Sequence, residues 1–262
     1  MTDREIEQRL PSKGRRKLKR TIYILPSIFT VGNIFAGFLA LIAILGAEFE
    51  KAAIAIGVAI ILDCLDGRVA RLVKVTSDFG VQLDSLADVI SFGIAPAVLI
   101  YSWGLADFGR FARFSAFVFL ICGVMRLARF NIQVGDLKHF AGLPIPAAAG
   151  FVAATVYFCP EPPETVFFKP ALVGVTYLIS LLMISTVRYP SVKQLDLGKG
   201  KSHLVILTLA ILLAGIFFYT RYAFLVLAYS YFFSGPITHM YQFSRYRLRY
   251  SRWLRVRGAR VK

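Results

Sequence analysis

Five aspartates lie within 26 residues of a chain that is otherwise largely apolar. Four of them form two pairs: Asp63 and Asp66 are three positions apart, and Asp84 and Asp88 are four apart. Residues at these spacings share one face of a helix, so each of two predicted helices presents two carboxylates. A short link, residues 74–80, joins these helices in antiparallel order and brings the two pairs together.

Four clustered carboxylates repel one another strongly unless cations hold them, and one or two oxygen-binding divalent metal ions remove that conflict. Gly67 and Ala70 carry little side-chain bulk, which lets a ligand approach the backbone, and Gly80 does the same at the start of the next helix. Arg71 places a guanidinium at the membrane edge, where it suits phosphate oxygens. The stretch therefore predicts a metal-assisted site for an anionic diphosphate.

The apolar composition of the rest of the chain indicates that this site lies in a membrane protein. Hydrophobic residues make up 57% of the 262 and charged residues only 18%. Apolar runs of about 20 residues span a bilayer as helices, whereas barrel strands alternate in polarity. We expect an all-α integral membrane protein with eight spans. The predicted spans are Leu25–Ala47, Ala52–Val73, Val81–Leu105, Phe111–Phe130, Pro144–Phe158, Pro170–Val187, His203–Tyr219 and Tyr222–Met240.

The net charge of +16 has an uneven distribution along the chain. Eight Lys or Arg lie in residues 1–20 and eight in residues 241–262. If both termini and the carboxylate site are cytoplasmic, 26 of the 31 basic residues fall on that side, as the positive-inside rule requires. The basic termini are then predicted to lie on anionic lipid headgroups, and nucleic-acid binding is a poor second interpretation.

The pattern Asp63-x2-Asp66-Gly67-x2-Ala70-Arg71-x8-Gly80-x3-Asp84-x3-Asp88 resembles the motif of the CDP-alcohol phosphotransferases. The resemblance implies a six-helix core over residues 25–190 and an additional helix pair over 191–240. Basic segments, residues 1–24 and 241–262, flank these parts. It also implies transfer from a CDP-linked lipid to an alcohol with release of CMP, dependence on two Mg²⁺ or Mn²⁺ ions, and a homodimer.

The same resemblance implies roles for individual residues. Asp63, Asp66 and Asp84 become metal ligands, and Asp88 becomes both a ligand and the general base. Contacts to CDP-diacylglycerol are expected from the first span, from the motif and from the link between the helices. These residues are Thr30, Asn33, Gly67, Ala70, Arg71, Ser77 and Gly80.

Four flanking stretches resemble the phosphatidylserine synthases of this family: SFGIAPA (91–97), MRLARFN (125–131), GLPIPAAAG (142–150) and STVRYPS (185–191). They imply that CDP-diacylglycerol and L-serine are the substrates and that the enzyme lies in the plasma membrane of a prokaryote. A serine carboxylate needs a paired cation, and arginine binds carboxylates bidentately. The candidate acceptor contacts are Arg126, Arg129, Asn131 and Arg188.

Three alternatives stay open. Another acceptor, such as glycerol phosphate, inositol phosphate or choline, is compatible with the family motif. Intramembrane prenyltransferases also use aspartate pairs with magnesium, but their pairs lie far apart in sequence. A divalent-cation transporter predicts acids spread over several spans near the midplane, whereas here they lie on two helices near one face.

Overall fold

A computed structural model describes residues 12–73, 78–132, 142–161, 165, 167–187, 189 and 220–238. These parts of the chain are almost entirely helical and contain no strand. The α-helices are α1 (Ser12–Leu45), α2 (Phe49–Val73), α3 (Asp78–Asp88), α4 (Ala95–Ile100), α5 (Gly109–Ile132), α6 (Ile145–Phe158), α7 (Phe168–Ile184) and α8 (residues 220–238). The prediction of an all-α fold is confirmed.

The predicted apolar runs coincide with helices, except that His203–Tyr219 lies outside the described residues. The largest difference is at α1, which begins at Ser12 rather than at Leu25 because the Lys- and Arg-rich stretch before the apolar run also favours helix. A smaller difference is at α7, which ends at Ile184 and not at the predicted Val187, because Ser185 adopts an extended backbone.

In the described part of the chain, two helical stretches, Ile28–Leu45 and Phe79–Ile132, are long and apolar enough to cross a membrane. The second stretch reverses direction at Gly109, which adopts a positive φ of 63°. Apolar helices Ile145–Phe158 and Phe168–Ile184 are shorter. Many large apolar side chains point away from the bundle, including Phe35, Phe38, Phe111, Phe114 and Phe117, each more than half exposed. Such a surface fits a hydrocarbon surrounding.

Small side chains let α1 and α2 pack closely. Ala36 and Ala40 lie four positions apart on α1, and both are buried. On α2, Ala52 and Ala59 have no exposed surface. Close approach through small residues is the usual basis of helix association in membranes. This packing fixes the rotation of α2 and therefore the direction in which its aspartates point.

The helical geometry changes immediately after Asp84 and Asp88. Residues Val89–Ile94 form a π-helical segment, followed by α4 and a second π-helical segment, Tyr101–Leu105. In the first segment Ser91 is fully buried and donates a 2.9 Å hydrogen bond to the backbone carbonyl of Asn33. A π-helical turn shifts the register of the residues that follow it. The segment therefore holds α1 against the end of α3, next to the predicted site.

Three ion pairs between described residues lie at the end of the bundle opposite the carboxylates. They join residues at the starts of α2, α7 and α8 and at the reversal before α5. The pairs are Lys51–Glu48 (2.6 Å), Arg221–Glu50 (2.5 Å) and Lys169–Asp107 (2.9 Å). At the same end, the Trp103 indole donates to the carbonyls of Cys159 and Pro160, both at 3.0 Å. Tryptophan is enriched at membrane–water interfaces, so this end is a natural membrane boundary.

Candidate active site

Three aspartates from two helices converge at one point. Asp63 lies on α2, whereas Asp84 and Asp88 lie on α3. One carboxylate oxygen from each lies within 4.8 Å of the others, and all three residues are partly buried. Oxygens that bind a common divalent cation lie roughly 3–5 Å apart, since each sits about 2.0–2.6 Å from the ion. The cluster therefore suits a hard divalent cation without rearrangement of the backbone.

The fourth predicted ligand, Asp66, is placed differently. Its side chain is 6% exposed, and its Oδ2 accepts a hydrogen bond from the Thr30 hydroxyl on α1. Asp66 does not belong to the three-carboxylate cluster, although it interacts electrostatically with Asp84 and Asp88. The Thr30–Asp66 bond joins α1 to α2 at the edge of the cluster.

Asp88 provides an independent sign that the cluster accepts a ligand. Its Oδ1 is buried and has no hydrogen-bond partner among the described residues. Its charged neighbours are the acids Asp63, Asp84 and Asp66 and, on α5, the guanidinium of Arg126. A buried carboxylate oxygen surrounded mainly by other carboxylates is costly without a cation. The chemistry of this oxygen set therefore fits the divalent metal ion that the sequence predicts.

Asn33 lies on α1 beside this cluster with its side chain completely buried. Neither its amide nitrogen nor its amide oxygen has a hydrogen-bond partner within the described part of the chain. Buried amide groups are nearly always satisfied, and an exception calls for an explanation such as a missing ligand. Asn33 offers one donor group and one acceptor to a polar ligand, which matches its predicted contact with the nucleotide.

The remaining motif positions are resolved to different extents. A Cβ added to Gly67 meets nothing within 4 Å, so there is open space beside the backbone one residue after Asp66. Gly80 lies in the first turn of α3. The backbones of Ala70 and Arg71 belong to α2, but the description does not extend to their side chains. Ser77 lies outside the described residues.

The three predicted acceptor contacts that the structure describes have different surroundings. Arg126 faces Asp88 on the inside of α5, and its Nε is buried without a hydrogen-bond partner among the described residues. Arg129 is exposed on the same helix. Asn131 donates from Nδ2 to the Ser85 hydroxyl at 2.9 Å, which ties the end of α5 to α3. Arg188 lies outside the described residues.

Two serines that sequence reasoning did not assign support the site. Ser85 accepts the hydrogen bond from Asn131, and Ser91 holds the backbone of Asn33. Ser85 directly follows Asp84, and Ser91 opens the quoted stretch SFGIAPA. The sequence signal that could have identified these serines is a polar residue close to a predicted site aspartate in an otherwise apolar helix. Their partners, 46 and 58 positions away, could not be deduced from spacing.

Several bacterial and archaeal proteins resemble this chain over about two thirds of its length. The CDP-diacylglycerol–serine O-phosphatidyltransferase of Helicobacter pylori strain J99 is 39% identical over 181 residues, which cover 66% of this chain and 74% of that protein. The enzyme of the same name from Bacillus subtilis strain 168 is 34% identical over 171 residues, 65% of this chain and 92% of that protein. The archaetidylserine synthase of Methanothermobacter thermautotrophicus is 37% identical over 171 residues, 64% of this chain and 70% of that protein.

A family model confirms the assignment that the motif suggests. Residues 23–187 match the model of the CDP-alcohol phosphatidyltransferases. This range contains α2 to α7, all but the start of α1, and every aspartate of the site. Since the match covers more than half of the chain and includes the residues that form the carboxylate cluster, the chain belongs to the CDP-alcohol phosphatidyltransferase family.

Proposed function

We propose that the protein is a CDP-diacylglycerol–serine O-phosphatidyltransferase. It transfers the phosphatidyl group of CDP-diacylglycerol to L-serine, giving phosphatidylserine and CMP. The observation that carries the proposal is the cluster of Asp63, Asp84 and Asp88 in a chain of this family. The names of the bacterial and archaeal relatives differ in the lipid but share serine. That shared element supports serine as the acceptor here.

The diphosphate is proposed to bind over the carboxylates. Asp63, Asp84 and Asp88 hold a divalent cation, Mg²⁺ or Mn²⁺, and Asp66 contributes to binding a second ion. When bound, the cations neutralise the diphosphate oxygens and stabilise negative charge on the departing CMP. Thr30 orients Asp66 through their hydrogen bond.

The nucleotide end of the lipid is proposed to lie against α1 and the end of α2. The unpaired amide of Asn33 supplies hydrogen bonds to the cytidine, and the open space at Gly67 admits the diphosphate close to the backbone. Arg71 adds a guanidinium for phosphate oxygens. Ala70, Ser77 and Gly80 complete the proposed contacts.

Asp88 is proposed to act as the general base. Its carboxylate takes the proton of the serine hydroxyl as the serine oxygen attacks the β-phosphorus, the atom bonded to the diacylglycerol oxygen. The bond between this phosphorus and the bridging oxygen breaks, and CMP leaves with that oxygen. The described cluster offers aspartates rather than a Ser, Cys or His nucleophile with an adjacent base, which supports direct displacement.

Arg126 is proposed to pair with the carboxylate of serine. Among the described residues it is the arginine that interacts with Asp88, so a serine bound to it presents its hydroxyl near the base. Arg129, Asn131 and Arg188 are the further proposed acceptor contacts. Of these, Asn131 acts through its hydrogen bond to Ser85, which fixes the end of α5 beside Asp84.

The family is membrane-integral, and the apolar helices agree with that. We propose eight spans, with a six-helix core over residues 25–190, an added pair over 191–240, and basic segments at 1–24 and 241–262. The site and both termini are assigned to the cytoplasmic side of a prokaryotic plasma membrane, where the basic segments contact anionic headgroups. A homodimer is proposed from the family resemblance.

One assay tests the function. Purified protein with CDP-diacylglycerol and Mg²⁺ is expected to release CMP when L-serine is added, but not with glycerol 3-phosphate, inositol phosphate or choline. The Asp84→Asn variant, prepared in the same detergent, controls for contaminating activities. CMP release that depends on one of the other acceptors and not on serine would refute the serine assignment, while leaving the family membership intact.

A further inference from the structure

An apolar groove runs along the outside of the bundle where α4 packs beside α5. The residues that define its two walls are Ile94, Val98 and Tyr101 on one side and Arg113, Ala116 and Phe117 of α5 on the other. The groove has a volume of about 260 Å³, is open on its outer side and exposes almost no polar atoms. None of its lining residues belongs to the carboxylate site, so the groove is a separate feature of the molecule.

The length of the groove fits one leaflet of a bilayer. Arg113 lies four residues after Gly109, where the chain reverses at the ion-paired end of the bundle. From Arg113 to Leu120 the α5 wall is seven residues long, which is about 10 Å at the helical rise per residue. The hydrocarbon of one leaflet is about 15 Å deep, half of the thickness of the bilayer core. The groove can therefore hold part of one acyl chain that enters from the ion-paired end.

Two arginines near this entrance have no acidic partner among the described residues. Arg110 and Arg113 are three positions apart on α5, so they share a face, and both are exposed. The other described basic residues at this end, Lys51, Lys169 and Arg221, are paired with acids. Because the groove exposes almost no polar atoms, Arg113 contributes its aliphatic stem to the wall, and its guanidinium extends to the headgroups. Guanidinium groups bind phosphate oxygens bidentately, so the entrance suits an anionic headgroup.

We propose that this groove binds an anionic phospholipid of the leaflet opposite the carboxylates. One acyl chain lies between α4 and α5, and the phosphate lies against Arg113 and Arg110. The donor lipid of the reaction is a different molecule, because its diphosphate is proposed to bind at the other end of the bundle. If two copies of the chain met at this face, their arginines would lie at one depth and repel, so an anionic headgroup would be needed there as well.

Photo-crosslinking in nanodiscs tests this site without reference to catalysis. The full chain is placed in phosphatidylcholine nanodiscs that contain a trace of phosphatidylglycerol with a diazirine midway along one acyl chain, and labelled peptides are mapped by mass spectrometry. Labelling at the groove should exceed labelling of the exposed α1 face at Phe35 and Phe38 about fivefold or more, the effect of one basic residue beside an anionic headgroup. A phosphatidylcholine probe with the same diazirine should show no such preference. Equal labelling of the two faces by the phosphatidylglycerol probe would refute the proposal.

Two variants, each with a matched control, locate the binding. Arg113→Gln removes an exposed charge and should lower groove labelling by phosphatidylglycerol about fivefold. Its control is Lys51→Gln, which removes a basic residue at the same end that is already paired with Glu48, and should leave labelling unchanged. Ala116→Phe places a ring in the groove and should abolish the preference. Its control is Val58→Phe on α2, at a position that is 43% exposed and outside the groove, and should keep the preference.

The donor lipid provides the last comparison. Arg113→Gln should leave the KM for CDP-diacylglycerol unchanged, because the donor is proposed to bind at the carboxylate end. A raised KM in this variant would place a chain of the donor in the groove and overturn the proposal. A preference for phosphatidylglycerol that survives Arg113→Gln, or that is lost equally in Lys51→Gln, would overturn it too. These labelling results do not depend on which acceptor the enzyme uses.

Discussion

Asp88 and Arg126 face each other across α3 and α5 without a hydrogen bond between them, and each keeps a buried polar atom unpaired among the described residues. A direct salt bridge would have satisfied both groups. A molecule that presents an acidic group to the arginine and a hydroxyl to the aspartate would pair both atoms. An amino acid with a hydroxyl side chain has both, which is why this pair, more than either residue alone, supports serine as the acceptor.

Replacing Asp88 should separate chemistry from binding. Asp88→Asn keeps the size of the side chain but removes the base, and general-base catalysis is typically worth about 10²–10⁴-fold in rate. We expect kcat to fall by about that factor while CDP-diacylglycerol still binds in the presence of metal, measured with a labelled lipid. Direct displacement also predicts inversion of configuration at phosphorus. Retention, or exchange of CMP into CDP-diacylglycerol without serine, would indicate a covalent intermediate instead.

The activity should depend on metal ions through the clustered carboxylates and not through acidic residues elsewhere in the protein. Chelation should abolish CMP release, and Mg²⁺ or Mn²⁺ should restore it, because the diphosphate cannot approach the aspartates unaided. Asp63→Asn and Asp84→Asn should each abolish turnover in protein that still inserts into the membrane. The matched control is Asp107→Asn, whose exposed ion pair with Lys169 lies at the opposite end of the bundle. This variant should remain active, since exposed pairs contribute only about 0–1 kcal/mol to stability. Full activity of the chelated enzyme would refute the metal proposal.

The sequence predicted the meeting of Asp63, Asp84 and Asp88 but not the separate position of Asp66. Residues three apart on a helix differ by about 60° in direction, so one member of the pair can face α3 while the other faces α1. Which one does so depends on how α2 is rotated, and that is set by its packing against α1, where Leu62 lies beside Gly32. Spacing within one helix carries no information about that rotation.

The support for the site was harder to predict than the site itself. Apolar runs located the helices because bilayer thickness dictates their length. The π-helical segment after Asp88 leaves no comparable pattern, since its residues are as apolar as those of an ordinary helix. Ser91 and Asn33 are 58 positions apart, so only the folded chain brings them together. Contacts of this kind arise from tertiary packing and have no local signal.

The orientation in the membrane can be tested with reporters at the two ends. Helix α8 begins beside Glu50, at the ion-paired end, and ends beside Tyr189, near the carboxylates. Its last turn therefore lies on the same side as the site. The first half of α1 also lies on that side, because Thr30 bonds Asp66 and the chain then runs away to the turn at Ala47. Reporters before Met1 and after Lys262 should both give cytoplasmic signals, as the basic residues predict. Opposite locations would require an odd number of spans and contradict the eight-span proposal.

A close backbone approach near the site should be sensitive to a single methyl group. A Cβ at Gly37 would lie 2.9 Å from the Ser91 Cα and even closer to its hydroxyl, so α1 and the π-helical segment would have to separate. Gly37→Ala should therefore lower the free energy of unfolding by about 1–3 kcal/mol, as overpacking of a core typically does. It should also raise the KM for CDP-diacylglycerol, because the Ser91 hydroxyl bonds the backbone of Asn33, the proposed nucleotide contact.

The matched control for this change is Gly57→Ala on α2, where an added Cβ meets nothing within 4 Å. Alanine exceeds glycine by about 1 kcal/mol in helix propensity, so this variant should be as stable as the unmodified protein or slightly more stable. Thermal unfolding in detergent and the KM for CDP-diacylglycerol, measured on both variants, make the comparison. Equal behaviour of the two variants would mean that contact between Gly37 and Ser91 does not hold α1 at the site, and that Asn33 is positioned by other interactions.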